Sequence, residues 1–280
     1  MQIRISKSLG GGFEGNPKDI WNGQDYTDIT KPVVFCGLYD LRDYYYLWRH
    51  KSKAYIFWCG GDLHNLENKF IFNDGKLKKL STLFKGIFHR FIIRLLKKAE
   101  NWVENGWEYD ILKELGVEST ICPSFFGNIF KYEISYQLEK PVNVYVSCGR
   151  GKQKQYGFDV IERIAPKLPD MNFHLYGDSW WTKEPNIYTH GRVPIEQMNR
   201  DMKDMQCGLR LNEYDGFSEI TAKSILWGQY PISRIAYHLI PSYKTDEELI
   251  KLLQELSLKS EPNIKGRDYY LKTINNFPWV

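Results

Sequence analysis

Short apolar runs of strand type, closed by glycine and followed by helical patterning, most restrict the fold open to this chain. Val33-Val-Phe-Cys36 is one such run. Ala54-Tyr-Ile-Phe-Trp-Cys59 is a second and closes in Gly60-Gly61-Asp62. Asn143-Val-Tyr-Val-Ser147 is a third. Runs of this kind suit strands buried on both faces of a parallel sheet. A short helix is expected over 40–50, and another ends at the Leu115-Gly116 stop signal. Strands that keep alternating with helices predict an α/β fold of parallel sheets flanked by helices. A length of 280 residues allows two small domains, each with its own core. The stretch 128–141 has no strong periodicity and reads as the linker. The expected division is therefore 1–140, 141–260 and a tail, 261–280, with a short helix over 268–275.

Composition sets broad limits. Apolar residues make up 42% and charged residues 26%, as in ordinary soluble domains. The net charge of +4 is a mild excess that does not by itself imply nucleic acid. Aromatic residues, at 15%, serve chiefly as core filling. No signal peptide is visible, and no run of 18 apolar residues occurs. The five cysteines, Cys36, Cys59, Cys122, Cys148 and Cys207, lie far apart in the sequence. They read as buried thiols of a reducing, cytoplasmic compartment rather than a zinc site or disulfide frame.

A long basic amphipathic helix is expected over 77–96. Leu77, Leu80, Phe84, Ile87, Phe88, Phe91 and Leu95 recur at helical spacing, with cations through Lys98 filling the remainder. Such a stripe is the buried face of a domain helix, or it docks on an anionic membrane surface as a peripheral contact. Near the start, Leu9-Gly-Gly-Gly12 follows a first strand, Gln2 to Ser6, but matches no phosphate-loop pattern. Asp62 and His64 follow a strand end and are candidates for catalysis, Asp62 also for acceptor contacts. Glu100 and Asn101 are read as a further acceptor site at another strand end.

The richest stretch runs from Asn186 to Ile232. It contains a strand, the turn Gly191-Arg-Val193, a helix, the strand Gly208-Leu-Arg-Leu, the turn Asp215-Gly-Phe-Ser218, and a helix ending near Gly228. A glycine turn between a strand and a helix N-terminus presents backbone amides at the positive helix end, a ready place for phosphate.

These landmarks resemble the donor half of retaining glycosyltransferases of the GT-B type, group 1 or family four. Their order there is Gly-x-Val, Glu-Gly-Phe-Gly, and Glu-Ala followed by glycine and proline. Here the counterparts are Gly191-Arg-Val193, Asp215-Gly-Phe-Ser218, Lys223 to Gly228, and Pro231. Upstream, Cys148-Gly-Arg150, Tyr156-Gly-Phe-Asp159 and Phe173 to Asp178 complete the set. The resemblance covers about 143–256 and weakens over the N-terminal half.

The resemblance implies two Rossmann-like domains facing a cleft, with a nucleotide-diphosphate sugar as substrate and neither cofactor nor metal required. A sugar would pass, with retention, to a hydroxyl of a glycan or lipid-linked glycan. Arg150 with Lys152 or Lys154 would hold the diphosphate. Gly191 and Val193 would meet the base, and Gly11 and Gly12 would let the donor approach closely. Asp215 would act in catalysis, and Gly216, Phe217 and Ser218 would line the donor. Two departures stand out. Tyr156 replaces the usual lysine. Lys223 replaces a carboxylate that accepts from the ribose hydroxyls, a task no lysine performs. Glu219 either supplies that acceptor or simply pairs with Lys223 at i, i+4. Rival readings are a non-catalytic sugar-nucleotide or glycan binder, and a glycosyltransferase acting on DNA, although nucleic acid is the less favoured partner.

Overall fold

Six parallel strands begin the fold: β1 (Gln2–Ile5), β2 (Gln24–Asp25), β3 (Val33–Cys36), β4 (Ala54–Phe57), β5 (Glu100–Val103) and β6 (Ser119–Ile121), in the order β2-β1-β3-β4-β5-β6. The computed structural model describes residues 1–9, 14–67 and 89–280. Every residue of β3 and β4 is buried, as their unbroken apolar runs require. Register is set by Val33 opposite Ala54 and Cys36 opposite Phe57. On one face Phe35, Ile56 and Val103 pack with Leu47, Leu63, Ile92 and Leu96. On the other, Val34, Tyr55 and Phe57 pack with Trp21, Phe126, Phe277 and Trp279. Trp21 meets Phe57, Phe126 and Phe277 edge-on at 5.2–5.5 Å, a favoured aromatic geometry.

The helices start where capping chemistry places them. Helix α2 (Leu41–Arg49), the second after the single turn α1 (Pro17–Ile20), opens with a reciprocal capping box between Asp40 and Asp43. Helix α3 (Gly61–Glu67) follows β4. Helix α4 (Gly106–Glu114) is capped by Asn105, whose side chain accepts from the Glu108 amide. Residues 89–96 are helical as well. Ile92, Leu95 and Leu96 are buried there, while Phe91 is 39% exposed. The rest of the expected basic helix, through residue 88, lies outside the described residues.

A second sheet is also wholly parallel. It contains β7 (Val142–Ser147), β8 (Met171–Tyr176), β9 (Ile187–Gly191), β10 (Cys207–Arg210) and β11 (Ile232–Ser233), ordered β11-β10-β7-β8-β9. Helices α5 (Phe158–Ile164), α6 (Ile195–Lys203), α7 (Glu219–Leu226), α8 (Asp246–Leu256) and α9 (Ile264–Thr273) accompany it. Val144, Val146, Phe173 and Leu209 form its core with Phe158, Ile161, Leu249 and Leu253. The chain runs β7, β8, β9 outward in one direction and then places β10 on the other side of β7. That reversal is the kind of switch point outside whose strand ends ligands bind in open α/β sheets.

The chain divides into one unit of Met1–Gly127, Tyr214–Phe217 and Ile274–Val280, and a second of Asn128–Glu213 and Ser218–Thr273. The division falls at residue 127, ahead of the expected boundary at 140. The stretch read as a linker is fastened to the second unit. Ser135 donates its amide to the Trp227 carbonyl (3.1 Å), and the Gln206 side-chain amide donates to the Gln137 carbonyl (2.8 Å). The returning tail is shorter than expected, because α9 packs on α7, with Gly266 against Ile225. Only residues from Ile274 onward join the first unit, where Asn275 donates to the Pro123 carbonyl. None of the five cysteines forms a disulfide, and four of them are buried. Among the described residues, no helix is long and apolar enough to cross a membrane.

Candidate functional site

In the second unit the loops after β7, β8 and β9 are drawn together by backbone contacts. Cys148 donates its amide to the Tyr176 carbonyl (3.0 Å), and Gly177 donates to the Gly191 carbonyl (2.7 Å). Gly177 has φ +100, and a Cβ there would lie 1.9 Å from the Cys148 carbonyl oxygen, so only glycine permits this approach. Asp178 then organises the loop Gly149–Lys152. It accepts from the Gly151 amide and the Gln153 side chain, both at 2.8 Å, and from the Ser179 amide at 2.9 Å. The Gly151 amide foremost, aided by the nearby Arg150 and Arg192, holds the Asp178 carboxyl below its ordinary range.

Arg150, Lys152 and Lys154 are exposed. Gly191 has φ +64, with open space where a Cβ would stand, and Val193 is half-buried. Tyr156, at the place of the missing lysine, packs against the core and lies under the Arg210 guanidinium, 4.4 Å from its ring centroid. Arg210 ends β10, beside β7 at the switch point. A cation therefore does stand there, brought by a different strand. Nothing in the local sequence around Tyr156 signals this, because the partner lies 54 positions away.

Lys223 is almost fully buried. Its ammonium sits 3.2 Å from the Glu219 carboxylate and donates to the Asn199 side-chain carbonyl at 3.1 Å. The i, i+4 pair is therefore formed, and inside the protein rather than on a solvated helix face. Ser218 caps the helix by accepting from the Thr221 amide.

Residues of the first unit gather at the carboxyl ends of β4 and β5. Asp62 is fully buried and accepts from the amides of Leu38 (2.9 Å), Cys59 (3.0 Å) and Leu63 (2.9 Å). Burial pushes its carboxyl up to about 6 despite those bonds. The His64 ring stacks flat on Tyr214, with centroids 3.9 Å apart. Asp215 is half-buried, and its carbonyl accepts from the Asn105 side-chain amide (2.8 Å). The Phe217 amide, expected to face a phosphate, is instead given to the Glu104 carboxylate (2.9 Å). Glu104 and Asn105 were not singled out by the sequence, since they carry no motif.

Glu100 and Asn101 open β5 rather than close it, so they stand at the amino end of the sheet. They line an open cavity of about 950 Å³ there. Glu100 pairs with Lys53 (2.8 Å), and Asn101 is buried in bonds to the Trp58 indole and the Leu96 carbonyl. Gly11 and Gly12 lie outside the described residues. Among the described residues no group of three or more His, Cys, Asp or Glu side chains is placed to hold a metal ion.

Two units, each a parallel sheet flanked by helices, make a fold of the GT-B type, with two Rossmann-like domains. TarM superposes with a TM-score of 0.59 at 17% identity, over 88% of this chain and 52% of that one. A variant of S. aureus TarM in complex with fondaparinux, α-GlcNAc-glycerol and UDP gives a TM-score of 0.55 at 15% identity, with the same coverage. Sucrose-phosphate synthase from Thermosynechococcus elongatus gives 0.60 at 10% identity, over 86% of this chain and 69% of that one. The chain thus spans about half the length of TarM. No protein-family model and no curated protein sequence matches it.

Proposed function

We propose that the chain is a glycosyltransferase that moves a sugar from a UDP-sugar to a hydroxyl of a glycan or lipid-linked glycan. The observation that carries this reading is the pair of arginines at the switch point of the second sheet. Arg150 follows β7 and Arg210 ends β10, next to a loop fixed by Asp178. A sugar diphosphate brings negative charge that grows on the leaving group as the bond breaks, and fixed cations stabilise that growth. On this reading side chains supply the charge that a metal ion would otherwise bring, and the sequence resemblance to retaining enzymes carries retention of configuration as part of the proposal. UDP is the favoured nucleotide because a structural neighbour is described in complex with UDP.

Incubation with a panel of nucleotide sugars, followed by mass spectrometry of the products, tests the proposal. Turnover or hydrolysis of a UDP-sugar is expected. Affinity without turnover across the panel would favour the second reading, a sugar-nucleotide binder. That reading has its own support in the buried Lys223–Glu219 pair, which leaves no carboxylate at position 223 for the ribose hydroxyls. An absence of binding throughout would sink both.

A further inference from the structure

The turn Asp215-Gly-Phe217 is held by two consecutive side chains that follow β5. Glu104 is 6% exposed and Asn105 is 2% exposed. One carboxylate oxygen of Glu104 accepts from the Phe217 amide (2.9 Å). The other accepts from the Ser124 amide (3.1 Å) and hydroxyl (2.6 Å). Asn105 uses its side-chain oxygen to cap α4, accepting from the Glu108 amide (3.0 Å). Its side-chain N–H₂ donates to the Asp215 carbonyl (2.8 Å). The turn is thus gripped before and after Gly216.

Close approach tightens the grip. A Cβ on Gly216 would lie 1.8 Å from the Glu104 carboxylate, and one on Gly60 would lie 2.5 Å from the Gly216 nitrogen. Packing alone would not ask for a buried acid. Burial and the Asp215 charge push the Glu104 carboxyl above its ordinary range. Glu108 lies beside it, with one oxygen that has no hydrogen-bond partner among the described residues. What an acid offers at this place is two oxygens aimed at amides of two different segments, which no hydroxyl or amide side chain provides.

We infer that Glu104 and Asn105 are positioning residues that fix the backbone of the Asp215 turn for work on the sugar donor. The inference rests on the glycosyltransferase reading for what the turn does, but not for how it is held. Two variants separate these points. Asn105→Asp keeps a good helix cap and loses the donor to Asp215. Glu104→Gln keeps one acceptor oxygen of two. Amide hydrogen exchange over 214–217, measured without nucleotide, should be about tenfold faster in both variants. Exchange over Val33–Cys36 should match the wild type. UDP affinity by calorimetry should fall about tenfold in Asn105→Asp, measured well below the variant's own melting temperature.

Unchanged exchange at the turn, or equal loss of protection in both segments, overturns the inference. So does faster exchange with unaltered UDP affinity in a protein that binds UDP. Wild-type protein that binds no UDP sinks the UDP-sugar reading instead. The exchange rates, which need no nucleotide, then still decide whether Glu104 and Asn105 hold the turn.

Discussion

Arg210 reaches the switch point from β10 and rests on Tyr156, the residue that broke the expected pattern. An aromatic face holds a guanidinium in place by cation–π attraction. Replacing either Arg150 or Arg210 by alanine should therefore weaken UDP binding without unfolding the protein. A lost charge-assisted contact to phosphate costs about 1.5–3 kcal/mol, roughly ten- to a hundredfold in affinity. Calorimetry with UDP reads this directly. Wild-type affinity in Arg210→Ala would return the diphosphate to the exposed lysines.

Lys223 calls for a different expectation. A surface i, i+4 pair is worth a few tenths of a kcal/mol, but this ammonium is buried against Glu219 and Asn199. Lys223→Glu would set a second carboxylate against the first, and breaking a buried pair costs about 3–5 kcal/mol. A large fall in melting temperature is expected. A melt superimposable on the wild type would mean that the side chain is free to swing out.

At the scale of elements, the glycine turns tie sheet to site. Gly177 shows this best, because its φ of +100 and the Cys148 carbonyl beneath it leave no room for a side chain. Gly177→Ala should separate the loops after β7 and β8. Destabilisation of a few kcal/mol should appear in the melt, together with weaker UDP binding. Unchanged values for both would show that the loops hold without this contact.

Elements were the most legible part of the sequence. The runs Val33–Cys36 and Ala54–Phe57 are strands buried throughout, and the helices expected from residue 40 and after the turn ending at Ser218 begin there. Glu100 and Asn101 show where legibility stopped. Their strand was visible, but which end of it they occupy depends on where its apolar core begins. Arg210, Asp178, Glu104 and Asn105 were invisible as site residues for one shared reason. Each acts on a partner distant in sequence, such as Phe217, 113 positions from Glu104, and periodicity carries no record of such pairs.

For the whole molecule, buried acids set the response to pH. Asp62 ionises near 4 in an unfolded chain and is pushed up to about 6 by burial. The folded protein therefore holds that proton more tightly. The stability it lends is complete below about 4 and is lost as pH rises through about 6, about 3 kcal/mol in all. Glu104 and Glu108 shift in the same direction and extend the loss to higher pH. The melting temperature should fall between pH 6.5 and pH 8 at constant ionic strength. Burial pushes the His174 imidazole down to about 4, which acts the other way up to about pH 6.5, so a rise between pH 6.5 and pH 8 would contradict the burial of these acids.

Phe277 and Trp279 carry one more consequence. They complete the aromatic face over Trp21, Phe57 and Tyr55, yet they are made after every strand of both sheets. A ribosome adding about 5–20 residues per second will have released all of β1 to β6 many seconds before residue 279 exists. Until then the first unit leaves a broad apolar face open to water. During synthesis that face is a place for a chaperone to hold the nascent chain, and the second unit is the first to have all its residues.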